Sequence, residues 1–181
     1  MRKIARFILK LIGWKVTGTF PEGYKKLVIL EAPHTSNIDY VIGMLCIYAF
    51  GLKVNVIIKK EAFFWPIGGV LKKMGGIPID RHGTKNKTDA IAALFDKNES
   101  LYLGITPEGT RSLVKEWRKG YYYIALKAKV PILLGSLDFK KKEGNFGPLI
   151  IPTGDYDKDF KKIVEYYKGK NAKYPEKYNL S

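Results

Sequence analysis

Apolar side chains recur along this chain in two rhythms, one suited to helices and one to short strands. Over residues 1–15, Ile4, Phe7, Ile8, Leu11 and Ile12 return at helical spacing while Arg2, Arg6 and Lys10 fall four apart on another face, which predicts an amphipathic basic helix. From Leu27 onward, β-like apolar runs at 27–30, 54–58, 77–79, 101–105 and 132–137 alternate with helical patterns at 37–50, 63–74, 88–95, 120–129 and 157–167. Strands separated by helices predict a layered α/β domain with a largely parallel central sheet flanked by helices. The last dozen residues, rich in Lys, Tyr and Asn with Pro175, are expected to be loosely ordered.

A chain of 181 residues with 46% hydrophobic side chains is long enough for one core and short for two. The expected organisation is therefore an interfacial helix over 1–15 and a single domain over 16–181. The 32 Lys and Arg against 17 Asp and Glu, a net charge of +15, favour anionic partners: phospholipid head groups, nucleic acid or phosphorylated substrates.

Cys46 is the single cysteine, which excludes an internal disulfide, and with two histidines a Cys/His zinc site is not expected, so no metal is assigned. Lys10 interrupts the N-terminal apolar stretch and no small-residue cleavage site follows, so the chain is expected to remain in the cytoplasm. The longest apolar run, 40–52, falls short of the ~20 residues a spanning helix needs. Any membrane contact is thus expected to be peripheral. Five cations, no acid and Trp14 suit residues 1–15 to an anionic interface; packing of the apolar face on the domain is the alternative.

Three clusters carry chemistry. Pro33-His34-Thr35-Ser36-Asn37-Ile38-Asp39 follows a predicted strand and opens a predicted helix. On one continuous helix, residues five apart point about 140° from each other, so His34 and Asp39 meet only with His34 in the loop and Asp39 in the first turn. The carboxylate then orients the imidazole, which takes a proton from a hydroxyl. Ser36-x-x-Asp39 reads equally as a capping box, with Asp39 satisfying a helix N–H.

The second cluster, Thr106-Pro107-Glu108-Gly109-Thr110-Arg111-Ser112, sits at a strand's carboxyl end, where open α/β sheets bind ligands. Gly109 permits close backbone approach, Thr110 and Ser112 offer hydroxyls, and Arg111 offers a fork for phosphate oxygens. A polar turn with Arg111 in solvent is the alternative. The third cluster runs from Lys60 to Gly75-Gly76-Ile77-Pro78-Ile79-Asp80-Arg81. With parallel strands, Arg81 and Arg111 share one sheet edge and form an anion site beside the dyad. His82 reads as an exposed loop residue, and Tyr121-Tyr122-Tyr123 as the start of a core helix rather than a base-stacking platform.

In this order the clusters resemble the glycerolipid acyltransferase family, whose best-known members acylate lysophosphatidic acid. Its first motif, His-x4-Asp, is met by His34 and Asp39, and its third, Glu-Gly-Thr-Arg-Ser, by Glu108 to Ser112. The second is met by Gly76 to Arg81, with Lys60 resembling the basic residue that opens that block. Val130-Pro131-Ile132 meets the fourth. Pro33 replaces a frequent Asn, and Leu133-Leu134 stands where a second proline is usual.

The resemblance implies acyl transfer from an acyl-CoA or acyl carrier protein thioester to a lysophospholipid hydroxyl, without a cofactor. 1-Acylglycerol-3-phosphate, giving phosphatidic acid, is the expected acceptor and a lyso-aminolipid the alternative. It further implies that His34 and Asp39 are catalytic, that Lys60, Arg81 and Arg111 hold the phosphate, and that Glu108, Gly109, Thr110, Arg111 and Ser112 shape the acceptor site. The expected location is the cytoplasmic face of an anionic membrane, peripheral, with no nucleic acid partner. A non-catalytic basic protein binding nucleic acid or anionic membranes is the rival from another class. Residues 53–87 hold eight cations against Glu61 and Asp80, but interleaved with apolar segments rather than forming one exposed stripe.

Overall fold

The computed structural model describes residues 1–79 and 86–180. In chain order the elements are α1 (Arg2–Leu11), β1 (Lys15–Gly18), β2 (Lys26–Glu31), α2 (Asn37–Phe50), β3 (Asn55–Lys59), α3 (Ile67–Lys73), β4 (Gly76–Ile79) and α4 (Lys87–Lys97). There follow β5 (Leu101–Ile105), α5 (Gly120–Ala128), β6 (Ile132–Asp138), β7 (Glu143–Ile150) and α6 (Tyr156–Tyr167). The strands form one sheet in the order β1-β7-β6-β2-β5-β3-β4, parallel throughout except between β6 and β7. This is the layered, largely parallel α/β domain that the alternation of patterns predicts.

Alternation along β2 shows how the layers assemble. Val28 and Leu30 point to the larger core, which holds Phe95 of α4, Tyr121 and Tyr122 of α5 and Ile163 and Tyr167 of α6. Leu27 and Ile29 point to the opposite face, against Met44 and Ile47 of α2. A strand covered on both sides has no polar side to show, hence its unbroken apolar run. Outside this sandwich, α1 lies on α2 through Ala5 and Leu9 and is tied by Arg6 Nε donating to the Ala49 carbonyl at 3.1 Å.

Two strands have no apolar run to announce them. The inward face of β7 includes Gly144, where a Cβ would come within 2.4 Å of Cys46 Sγ on α2. Close approach of that helix demands glycine, which erases the strand's signature. The four residues of β1 form a sheet edge, paired among the described residues with β7 alone. The expected helix at 63–74 is shorter, α3 alone, preceded by a 3₁₀ turn at Lys60–Ala62.

The C-terminal residues are a correction to the expectation of loose order. Trp117 Nε1 donates to the Asn179 carbonyl at 2.9 Å, and Tyr178 and Leu180 pack against the larger core. Their aromatic and aliphatic side chains supply the burial that a Lys-rich composition conceals. Tyr121 and Tyr122 are fully buried and Tyr123 is exposed, the arrangement expected of a core helix.

Candidate active site

Strand β2 pairs directly with β5, Leu30 opposite Ile105, so the loops leaving their carboxyl ends emerge side by side. That adjacency brings together the first two clusters. His34 N donates to Glu108 Oε1 at 3.0 Å across 74 positions of sequence. Below this junction, Tyr167 Oη donates to the carbonyls of Leu30 at 2.6 Å and Gly135 at 3.0 Å, fixing the end of β2 against β6.

His34 lies in the loop and Asp39 in the first turn of α2, with Nδ1 3.5 Å from Oδ2. That is a close electrostatic contact rather than a tight hydrogen bond. Asp39 is almost wholly buried, and its Oδ2 also accepts from the backbone N–H of Thr35 at 2.6 Å and Ser36 at 2.7 Å, while Ser36 Oγ donates to Oδ1. The capping box and the imidazole contact are therefore both present. The cap holds the carboxylate where it faces the ring.

Burial lowers the pKa of His34 below its ordinary value; Asp39 opposes this and Arg111 reinforces it. Two carboxyls beside the dyad behave in the opposite sense. Glu108, 1% exposed, is pushed up to about 7 by burial against the downward pull of backbone N–H groups. Its Oε2 has no hydrogen-bond partner among the described residues. Glu31, at the end of β2, is likewise raised to about 7 by burial and then by the charges of Asp39 and Glu108. Sequence reading passed over Glu31 because it closes an apolar strand outside any cluster.

The dyad opens on a cavity of about 390 Å³, within the range of small-molecule sites. Its far wall is aliphatic, with Ile57 and Ile58 of β3, Ile79 of β4, Ile91 of α4 and Ile124 of α5, while Glu31, His34, Asp39, Thr106 and Arg118 form the polar end. Arg118 is a residue that the motifs did not indicate. Its guanidinium passes over Gly109, whose φ of +62° and lack of a Cβ leave room: an added Cβ would lie 3.0 Å from Arg118 Nε.

Among the described residues the cavity wall includes Lys87 and Arg118 rather than Lys60 or Arg111. Lys60 is exposed beyond β3; Arg111 and Ser112 are exposed and Thr110 half-buried on the loop after β5. Arg111 nevertheless acts on His34 through its charge. Arg81 and His82 lie outside the described residues. A neutral imidazole held by a buried carboxylate can accept a proton from a hydroxyl at the cavity mouth.

A family model described as Acyltransferase matches residues 13–133. No curated protein matches the chain. Among solved structures, the fold is similar to a crystal structure of the 1-acyl-sn-glycerophosphate (LPA) acyltransferase PlsC from Thermotoga maritima, with a TM-score of 0.64 and 20% identity, covering 91% of this chain and 73% of that one.

Proposed function

We propose, from the premise that this chain belongs to the acyltransferase family, that it moves a fatty acyl group from a thioester to the hydroxyl of a lysophospholipid, most simply 1-acylglycerol-3-phosphate. The observation that carries the reading is His34, set between Asp39 and Glu108 at the mouth of an isoleucine-walled cavity. His34 takes the acceptor's hydroxyl proton while Asp39 holds the ring. The oxygen attacks the thioester carbonyl, an ester C–O bond forms, the C–S bond breaks, and the thiolate leaves as a thiol with the proton from the imidazolium. The enzyme itself is not acylated.

The aliphatic wall suits an acyl chain. Arg118 at the cavity suits an acceptor phosphate, and Arg111 on the loop after β5 and Lys60 beyond β3 are further cations for it, with Arg81 the remaining candidate from the motifs. Glu108 to Ser112 form the loop that carries this end of the site. Acyl-CoA and acyl carrier protein are both thioesters of the required chemistry, and no further cofactor enters the reaction. The exposed side chains Ile4, Phe7 and Leu11 support α1 as a peripheral contact with an anionic membrane at the cytoplasmic face. Among the described residues no helix is long and apolar enough to cross a membrane.

The test is acyl transfer from a labelled thioester to a panel of lysolipids, lysophosphatidic acid and a lyso-aminolipid included. His34→Ala serves as control and is expected to lose roughly 10²–10⁴-fold in rate with its melting temperature preserved. Activity retained within about tenfold would remove the general-base assignment.

A further inference from the structure

Extending the membrane part of that reading to a second element, we infer that α3 and the turn before it join α1 in one docking face for an anionic phospholipid bilayer. The segment leaves Phe64, Trp65, Ile67 and Val70 in solvent, Trp65 at 92% exposure. Large apolar side chains grouped this way, Phe64 and Trp65 before a seven-residue helix and Ile67 and Val70 on it, do nothing for the core. The outer stripe of α1 is equally uncovered, with Phe7 62% and Leu11 69% exposed.

The two elements are neighbours. A surface recess of about 230 Å³ is lined by Met1 at the start of α1, by Lys53, and by Lys72, Lys73 and Met74 at the end of α3. Three exposed lysines thus line the recess where the two elements meet, and among the described residues no acid lines it. Residues 1–15 and 59–75 hold nine cations and Glu61 as their one acid. Apolar and aromatic side chains flanked by lysines match a bilayer's interface, with its acyl region below and its phosphates above.

The placement also bears on the reaction. Strands β3 and β4, which α3 connects, supply Ile57, Ile58 and Ile79 to the cavity wall. Seating α3 in the interface therefore sets that wall beside the lipid from which an acceptor must come.

Tryptophan emission reads this contact directly. Of the three tryptophans, Trp14 is 8% and Trp117 4% exposed, so Trp65 alone is free to change its surroundings. On vesicles of phosphatidylglycerol and phosphatidylcholine, emission is expected to shift to the blue and to be quenched by brominated lipid, both absent in Trp65→Phe. Vesicles of phosphatidylcholine alone should give little of either. Ile67→Ser/Val70→Ser and, separately, Lys72→Glu/Lys73→Glu are expected to weaken flotation roughly tenfold or more. Both should act on detergent-dispersed acceptor as the unaltered protein does.

If the protein floats with vesicles while Trp65 emission stays unchanged and both double variants float normally, this inference fails and attachment through α1 stands. If nothing floats, the membrane reading fails and takes this inference with it. Variants that change sedimentation without lipid would make the face an interface between copies and overturn the proposal.

Discussion

Asp39 Oδ2 faces His34 Nδ1 at 3.5 Å while accepting the backbone N–H groups of Thr35 and Ser36. One carboxylate oxygen thus closes the N-terminus of α2 and orients the imidazole. The two duties separate in Asp39→Asn, whose amide oxygen still caps the helix while the negative charge is gone. The expected result is a loss of roughly 10²-fold or more in kcat. The stability change should be about 1 kcal/mol or less, read from thermal melts. A near-normal kcat would restrict Asp39 to capping.

The pH dependence of kcat/KM should report His34. Since burial holds its pKa below 6.5, the acid limb is expected below that value, with the neutral base retained down to lower pH. Arg111→Ala removes a positive charge that lowers this pKa, so its acid limb should move up. Asp39→Asn removes an opposing influence and should move it down. An Arg111→Ala profile displaced downward would contradict the arrangement.

Glu108 makes a separate prediction for stability. Its folded pKa of about 7 lies above the ordinary 4.5, so the folded state holds the proton more tightly. The stabilisation this gives is complete below pH 4.5 and is lost as pH rises to 7, on the order of 3 kcal/mol for a shift of that size. Glu108→Gln imitates the protonated form. Its stability relative to the unaltered protein should therefore increase between pH 4.5 and 8 in denaturant titrations, and a pH-independent difference would exclude a raised pKa.

Gly109→Ala and Arg118→Ala test the polar end of the cavity. The alanine must adopt φ near +62° and displace Arg118, so about 1–2 kcal/mol of stability is expected to be lost. Arg118→Ala should leave stability nearly unchanged and raise the acceptor KM roughly tenfold through loss of charge-assisted hydrogen bonds. An unchanged KM for a phosphate-bearing acceptor would remove Arg118 from the site.

Much of the scaffold is legible along the chain. Where one face of an element is buried, burial stamps a period of two or 3.6 on its side chains, as in α1 and α4. Where both faces are buried it leaves an unbroken apolar run, as in residues 27–30 of β2. The motif residues are legible too, because His34, Asp39 and the Glu108 to Ser112 turn lie at fixed spacing beside strands that announce themselves. At β7 the pattern is broken for a physical reason, since the close approach of α2 leaves no side chain at the inward position of Gly144.

The amino-acid order by itself determined most of the helices and strands, β1 and β7 apart, and the motif residues His34, Asp39 and Glu108 to Ser112, because those are properties of short stretches and their local burial. Only the tertiary structure decided that β2 lies beside β5, that Glu31 and Arg118 join the dyad, and that the apolar residues of α3 face outward. Hydrogen-bonded pairing and crossover connections bring distant strand ends together, and no local period records which ends will meet.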